Sequence, residues 1–185
     1  MRARYNWLIT LTLLAVMVLP QLASAEAVYW EGNGHYYELL TPLVSWEDAH
    51  IIAENRTVGG HPGYLVTLTT QEENDFVYNV VLGGDAPAPA GDPWIGGYQN
   101  SDHSDPALNW HWVTEEEFDW VNWAPGEPND YHHLYAEMYL QFSPGQGGQW
   151  NDHHSINFKP MIVEYSSDVV ATEETSWGSV KSLYR

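Results

Sequence analysis

Trp120-Val-Asn-Trp-Ala-Pro-Gly-Glu-Pro-Asn-Asp130, with Gln149-Trp-Asn-Asp152 further along, is the stretch on which the reading of this chain turns. Glu127, Asn129, Asn151 and Asp152 all end in a carboxylate or amide oxygen, and each lies beside a turn former or an aromatic anchor. Oxygen ligands gathered from two loops are what a hard cation such as Ca2+ needs. The amide groups left over suit a polar ligand. The pattern predicts calcium-assisted binding, and it offers no nucleophile and general base in the arrangement that hydrolysis requires.

The ends of the chain read differently from its middle. Arg2 and Arg4 precede the apolar run Leu8 to Leu19, which stops at Pro20 and is followed by Ala23-Ser24-Ala25. A basic start, a short apolar core and a small-x-small site predict a secretory signal peptide over residues 1–25, removed after Ala25. The run is shorter than the ~20 apolar residues of a membrane span, so no span is expected in the mature chain. Residues 26–166 form the expected domain and residues 167–185 a polar C-terminal tail. A secreted protein, extracellular or periplasmic, is the expectation.

Beyond residue 25 the basic residues are Arg56, Lys159, Lys181 and Arg185, against all 25 acids. That balance repels phosphate backbones and anionic lipid, which argues against nucleic-acid and membrane-surface partners. The many tryptophans distinguish the chain from a disordered acidic one. The absence of cysteine excludes thiolate metal sites and thiol chemistry, and it leaves stability to the apolar core.

Local patterns give an α+β order. Tyr29 to Leu40 reads as one or two strands. Ser45 is placed to cap a helix ending near Asn55, and Thr70-Gln-Glu-Glu73 has the form of a capping box. Behind that box, Phe76, Val77, Val80 and Val81 are expected on the buried face of a second helix. His61-Pro62-Gly63 reads as a turn before the strand Tyr64 to Leu68. From Trp94 onward the helical period is lost, and short strands are expected at Trp94–Tyr98, Asn109–Val113, Tyr135–Phe142, Gln149–Trp150 and Pro160–Tyr165.

The order of these landmarks resembles the C-type lectin-like domain. Trp46-Glu-Asp-Ala49, Thr69-Thr-Gln-Glu-Glu-Asn74, Trp94-Ile-Gly-Gly97, Trp110-His-Trp112, Asn122-Trp123, Glu127-Pro-Asn129, Trp150-Asn-Asp152 and Ile162-Val-Glu164 follow one another as in that family. The resemblance covers about residues 30–165 and implies two helices, short antiparallel sheets and long irregular loops. It implies a disulfide-free, bacterial-type member, in which the usual cysteine positions fall at Ala53 and Val163 and at Tyr135 and about Ser155.

The family's lectins hold one calcium ion between the Glu-Pro-Asn loop and the Trp-Asn-Asp strand, and two sugar hydroxyls complete its coordination. By resemblance, Glu127, Asn129, Asn151 and Asp152 are the metal and sugar ligands, a cis bond precedes Pro128, and the sugar is of the mannose type. Tyr131, on the loop, is the candidate for stacking on a sugar ring. The family's further acid falls at His133, a poor calcium ligand, and only a shifted register brings Glu137 there instead. Gln99 and Leu134 fall where an auxiliary calcium site carries acids, so no second calcium is expected.

Histidines 132, 133, 153 and 154 all lie on the two loops expected to meet at the site. Such a set suits zinc, nickel or copper, although neighbouring histidines tend to point apart. Two functions follow. One is a calcium-dependent carbohydrate-binding protein. The other is a calcium-independent module for a protein or another surface, favoured by His133.

Overall fold

A computed structural model describes residues 26–84, 92–100, 105–131, 136–143 and 145–166. The signal peptide expected over residues 1–25, the tail after residue 166, and His132, His133, Leu134 and Tyr135 lie outside the described residues. The elements are β1 (Val28–Trp30), β2 (His35–Val44), α1 (Trp46–Glu54), β3 (Thr57–Val58), β4 (His61–Leu65), α2 (Gln71–Phe76), β5 (Trp94–Gln99), β6 (Trp110–Trp112), β7 (Tyr139–Phe142), β8 (Trp150–His153) and β9 (Lys159–Tyr165). This is the α+β order expected from sequence. The strands run β1-β2-β9-β5-β7-β8, with β4 also on β9 and β6 on β5. Pairing is antiparallel except between β5 and β9, where Trp94 meets Met161 in parallel.

The side-chain period of two along a strand divides the core. Met161, Val163 and Tyr165 of β9 point to one face, where Trp46, Ala49 and Ala53 of α1 cover them. Ile162 points to the other face, among Trp112, Leu140 and Trp150. Ala53 and Val163, two of the positions where resemblance places cysteines, are both fully buried in the α1 cluster, so packing occupies the space of a bridge. Gly96 allows the closest backbone approach in this layer. A Cβ there would lie 2.5 Å from the Leu65 carbonyl oxygen, and no rotamer change can relieve contact with a main-chain atom.

Both helix starts are capped as their sequences predict. Ser45 Oγ accepts the Asp48 N–H at 3.2 Å, and Thr70 Oγ1 accepts the Glu73 N–H at 3.2 Å. The reciprocal half of the second box is displaced by one residue, because Glu73 Oε2 takes the Thr69 N–H. Three further expectations are corrected. His61–Gly63 belongs to β4, and the turn is made by Gly59 and Gly60, both at positive φ, which glycine adopts without strain. Val80 is exposed, because α2 continues as a π-helical turn over Val77–Val81. The Leu82 N–H bonds back to Val77 O, so Leu82 takes the buried position that an α-helix would have given to Val80 or Val81. The strand expected over Tyr135–Phe142 is described only from Tyr139, and residues 136–138 form no strand.

Two polar networks cross the core. Arg56 Nη2 bonds both oxygens of the buried Glu38, at 2.9 and 2.8 Å, while Arg56 Nε donates to Tyr165 Oη and Tyr165 Oη donates to Glu38. The network ties β2 and β9 to the end of α1. On the other face, Tyr37 Oη donates to Glu73 Oε1 at 2.7 Å and lies 3.4 Å from Glu164 Oε1, which also receives His35 Nδ1 at 2.6 Å. Burial, then repulsion from Glu164, pushes the Glu73 carboxyl up to about 7.

This shift predicts a pH dependence of stability. The unfolded carboxyl titrates near 4.5 and the folded one near 7, so between these values the folded protein holds the extra proton. The contribution is fully present below the unfolded value and is lost as pH rises through about 7. Denaturant unfolding of the wild type is expected to lose up to about 3 kcal/mol from this group between about pH 5 and about pH 8. Glu73→Gln should remove that part of the slope; an unchanged slope would exclude Glu73 as its source.

Candidate metal and ligand-binding site

Trp150 fixes the position of the site. Its indole Nε1 donates to Asn74 Oδ1 at 2.8 Å, and Trp112, Trp120 and Trp123 meet its ring edge-on at 5.5, 5.2 and 6.1 Å between centres. Its backbone bonds the opposing loop on both sides, through Trp150 N to Asn122 O and Ala124 N to Trp150 O. These tryptophans are therefore mainly packing groups. The two halves of the motif, distant in sequence, become neighbours through one immobilised residue.

Ala124-Pro-Gly-Glu127 then turns the chain. Glu127 N–H donates to Ala124 O at 2.9 Å, with Pro125 preceding Gly126 at φ 96°, the arrangement of a type II turn. The Glu127–Pro128 bond is cis, as expected. The buried carboxylate of Asp152, from β8, clasps the loop. It accepts the Asn129 N–H at 3.0 and 3.1 Å and the Asp130 N–H at 2.8 Å. All four residues expected as ligands are thereby gathered on β8 and the loop it holds. Asn151 donates one amide hydrogen of Nδ2 to Asp152 O, so its Oδ1 is the atom that could meet a cation.

Glu137 stands beside this group, at a position that only a shifted register would have brought here. It precedes β7, is buried, and is locked in by two bonds: its N–H to Asp130 Oδ1 at 3.0 Å and its Oε2 to the Tyr131 N–H at 2.8 Å. No local pattern signals this, since residues 136–138 leave the strand. Tyr131 itself is 69% exposed, suitable for contact with a ligand outside the protein. Gln99 is buried and its Nε2 bonds the carbonyls of Pro106 and Leu108, a purely structural attachment. Glu115, Glu116 and Glu117 are exposed, and Glu116 accepts the Thr67 and Thr114 hydroxyls, as suits a solvated turn.

The electrostatics are those of crowded anions. Burial, then the nearby Asp152 and Glu137 carboxylates, pushes the Glu127 carboxyl up to about 7. Burial also raises Asp152, against the pull of the two loop N–H groups, and it raises Glu137. Glu127 Oε2 and Asn129 Oδ1 are buried with no hydrogen-bond partner. Buried oxygens without donors, beside carboxylates that resist ionisation, have the donor chemistry of a hard-cation site: a cation would pair the first and relieve the second. His153 and His154 are half-buried close by.

No protein-family model matches the chain. Among curated proteins, halomucin of Haloquadratum walsbyi is 31% identical over 141 residues, which is 72% of this chain and 1% of halomucin. The chain thus spans only a small fraction of that relative. Among solved structures, the C-type lectin CEL-I from Cucumaria echinata superposes with a TM-score of 0.61 at 27% identity, over 74% of this chain and 94% of CEL-I. A calcium-independent type II antifreeze protein superposes with a TM-score of 0.55 at 20% identity, over 76% of this chain and 95% of that one, a likeness of fold alone.

Proposed function

The chain carries a C-type lectin-like domain, and on that premise we propose that it is a secreted, calcium-dependent carbohydrate-binding protein without catalytic activity. Glu127, Asn129, Asn151 and Asp152 are the proposed ligands. The observation that carries this reading is the pair of buried, unpartnered oxygens, Glu127 Oε2 and Asn129 Oδ1, beside the fully buried Asp152. Calcium, when bound, supplies a Lewis acid that polarises sugar hydroxyls. The protein's own part is to orient those hydroxyls through amide donors and carboxylate acceptors on a loop already fixed by Asp152.

The Glu-Pro-Asn order supports vicinal hydroxyls of the mannose type, and the exposed ring of Tyr131 is placed to stack on the sugar. Likeness to the lectin CEL-I supports a glycan as the partner. Among the described residues no helix is long and apolar enough to cross a membrane. Residues 1–25 are the proposed export signal, and residues 167–185 the proposed tail.

Calorimetric titration with calcium, followed by mannose with and without chelator, tests the reading. One calcium per chain and mannose binding only in calcium are expected. Because the proton competes with the ion at Glu127, calcium affinity should rise about tenfold per pH unit up to about 7 and then level off. A folded protein silent to both calcium and mannose would overturn the proposal and leave a calcium-independent surface binder.

A further inference from the structure

We propose that Glu137, His153 and His154 form a separate site for zinc, independent of the calcium reading. One ligand atom from each of the three lies within 4.8 Å of the other two. His153 Nδ1 is 4.0 Å from Glu137 Oε1, and the two imidazole rings are 4.7 Å apart between centres at 67°. The expectation that neighbouring histidines point apart holds only within a strand. Here β8 ends at His153, so the alternation of faces does not extend to His154.

The atoms are prepared for a metal of intermediate hardness. Glu137 Oε2 is taken by the Tyr131 N–H, so its Oε1 is the oxygen facing His153. His153 Nδ1 accepts the His154 N–H at 2.9 Å, which makes it the unprotonated nitrogen with a lone pair towards the group. Metal binding exchanges that hydrogen bond for a coordinate bond. Asn157 Nδ2 lies 3.0 Å from His153 Nε2; turning this amide end for end would put its oxygen there to accept the Nε2–H, the outer contact that fixes a metal-bound imidazole. The Trp94 ring, edge-on at 5.9 Å, restrains the same imidazole.

Zinc bonds of ~2.1 Å place tetrahedral ligand atoms roughly 3.4 Å apart, so the three side chains need close by little more than ~1 Å. Two imidazoles and one carboxylate favour zinc over calcium, which takes oxygen, and they leave a fourth position open to water. The carboxylate used is not one of the four calcium ligands proposed above. The two ions therefore have separable ligand sets.

The test is titration of the whole protein with zinc chloride in excess calcium, by calorimetry, together with cobalt(II) titration followed in the visible spectrum. One zinc per chain is expected, with cobalt bands of a four-coordinate, nitrogen-ligated ion. His153→Ala and His154→Ala should each weaken zinc at least about 100-fold, and Glu127→Gln should leave it within about threefold. His153→Gln repeats the test with a polar side chain in place, and near-ultraviolet dichroism verifies that each variant is folded. Zinc affinity unchanged in folded His153 and His154 variants overturns the proposal. So does a loss that follows His132→Ala or His133→Ala instead, or a zinc ion that calcium displaces and Glu127→Gln abolishes. A calcium-silent protein that still binds zinc would reject the lectin reading while supporting this one.

Discussion

Asp152→Asn is expected to lower calcium affinity at least about 100-fold, equivalent to about 3 kcal/mol, and to abolish calcium-dependent retention on a mannose matrix. The expectation rests on two roles of one side chain. Asp152 supplies a formal charge to the proposed site, and its two oxygens hold the N–H groups of Asn129 and Asp130. An amide keeps one acceptor, loses the charge, and turns N–H donors towards the loop's own donors. The apo fold should change much less, because the buried carboxylate is itself destabilised by desolvation and by its anionic neighbours. Calorimetry on the variant, with tryptophan fluorescence reporting the fold, separates the two effects. Calcium affinity within about threefold of wild type would remove Asp152 from the ligand set.

Arg56→Ala is expected to reduce unfolding free energy by about 3 kcal/mol, measured by denaturant titration. Glu38 is 3% exposed, and the Arg56 guanidinium bonds both of its oxygens. Truncation leaves a buried carboxylate with the Tyr165 hydroxyl as its remaining hydrogen-bond donor in this network. The figure is set at the low end of the range for breaking a buried pair, because about a third of the arginine side chain is exposed. Glu38→Leu combined with Arg56→Met should recover most of the loss, since an apolar pair of similar volume has no desolvation penalty. A single variant within about 0.5 kcal/mol of wild type would show that water compensates Glu38.

These expectations differ in how far the sequence foretold them. The cis bond before Pro128 was expected by resemblance, whereas the loop's turn formers and the oxygen-bearing types of its candidate ligands were legible because each depends on residues adjacent in the chain. The helix caps were legible for the same reason. The outward turn of Val80 was not, since nothing in Phe76 to Val81 announces a widened helical turn; it is set by packing of Val77 and Leu82 into the core. Nor was the Glu73–Glu164 pair, which depends on the Tyr37 hydroxyl of β2 meeting a carboxylate from α2 and one from β9.

By itself the sequence determined the α+β order, the oxygen-bearing residue types that make the Glu-Pro-Asn and Trp-Asn-Asp segments candidate ligands, and a core that closes without cysteine. Short-range chemistry suffices for the first two, and the apolar period for the third. Tertiary structure alone decided where Glu137, His153 and His154 stand. Their convergence follows from the pairing of β7 with β8, Tyr139 opposite His153, and from the point at which each strand stops. A strand's end releases side chains from the alternation that pattern reading assumes, so the charge balance of the site is set by contacts between segments distant in the chain.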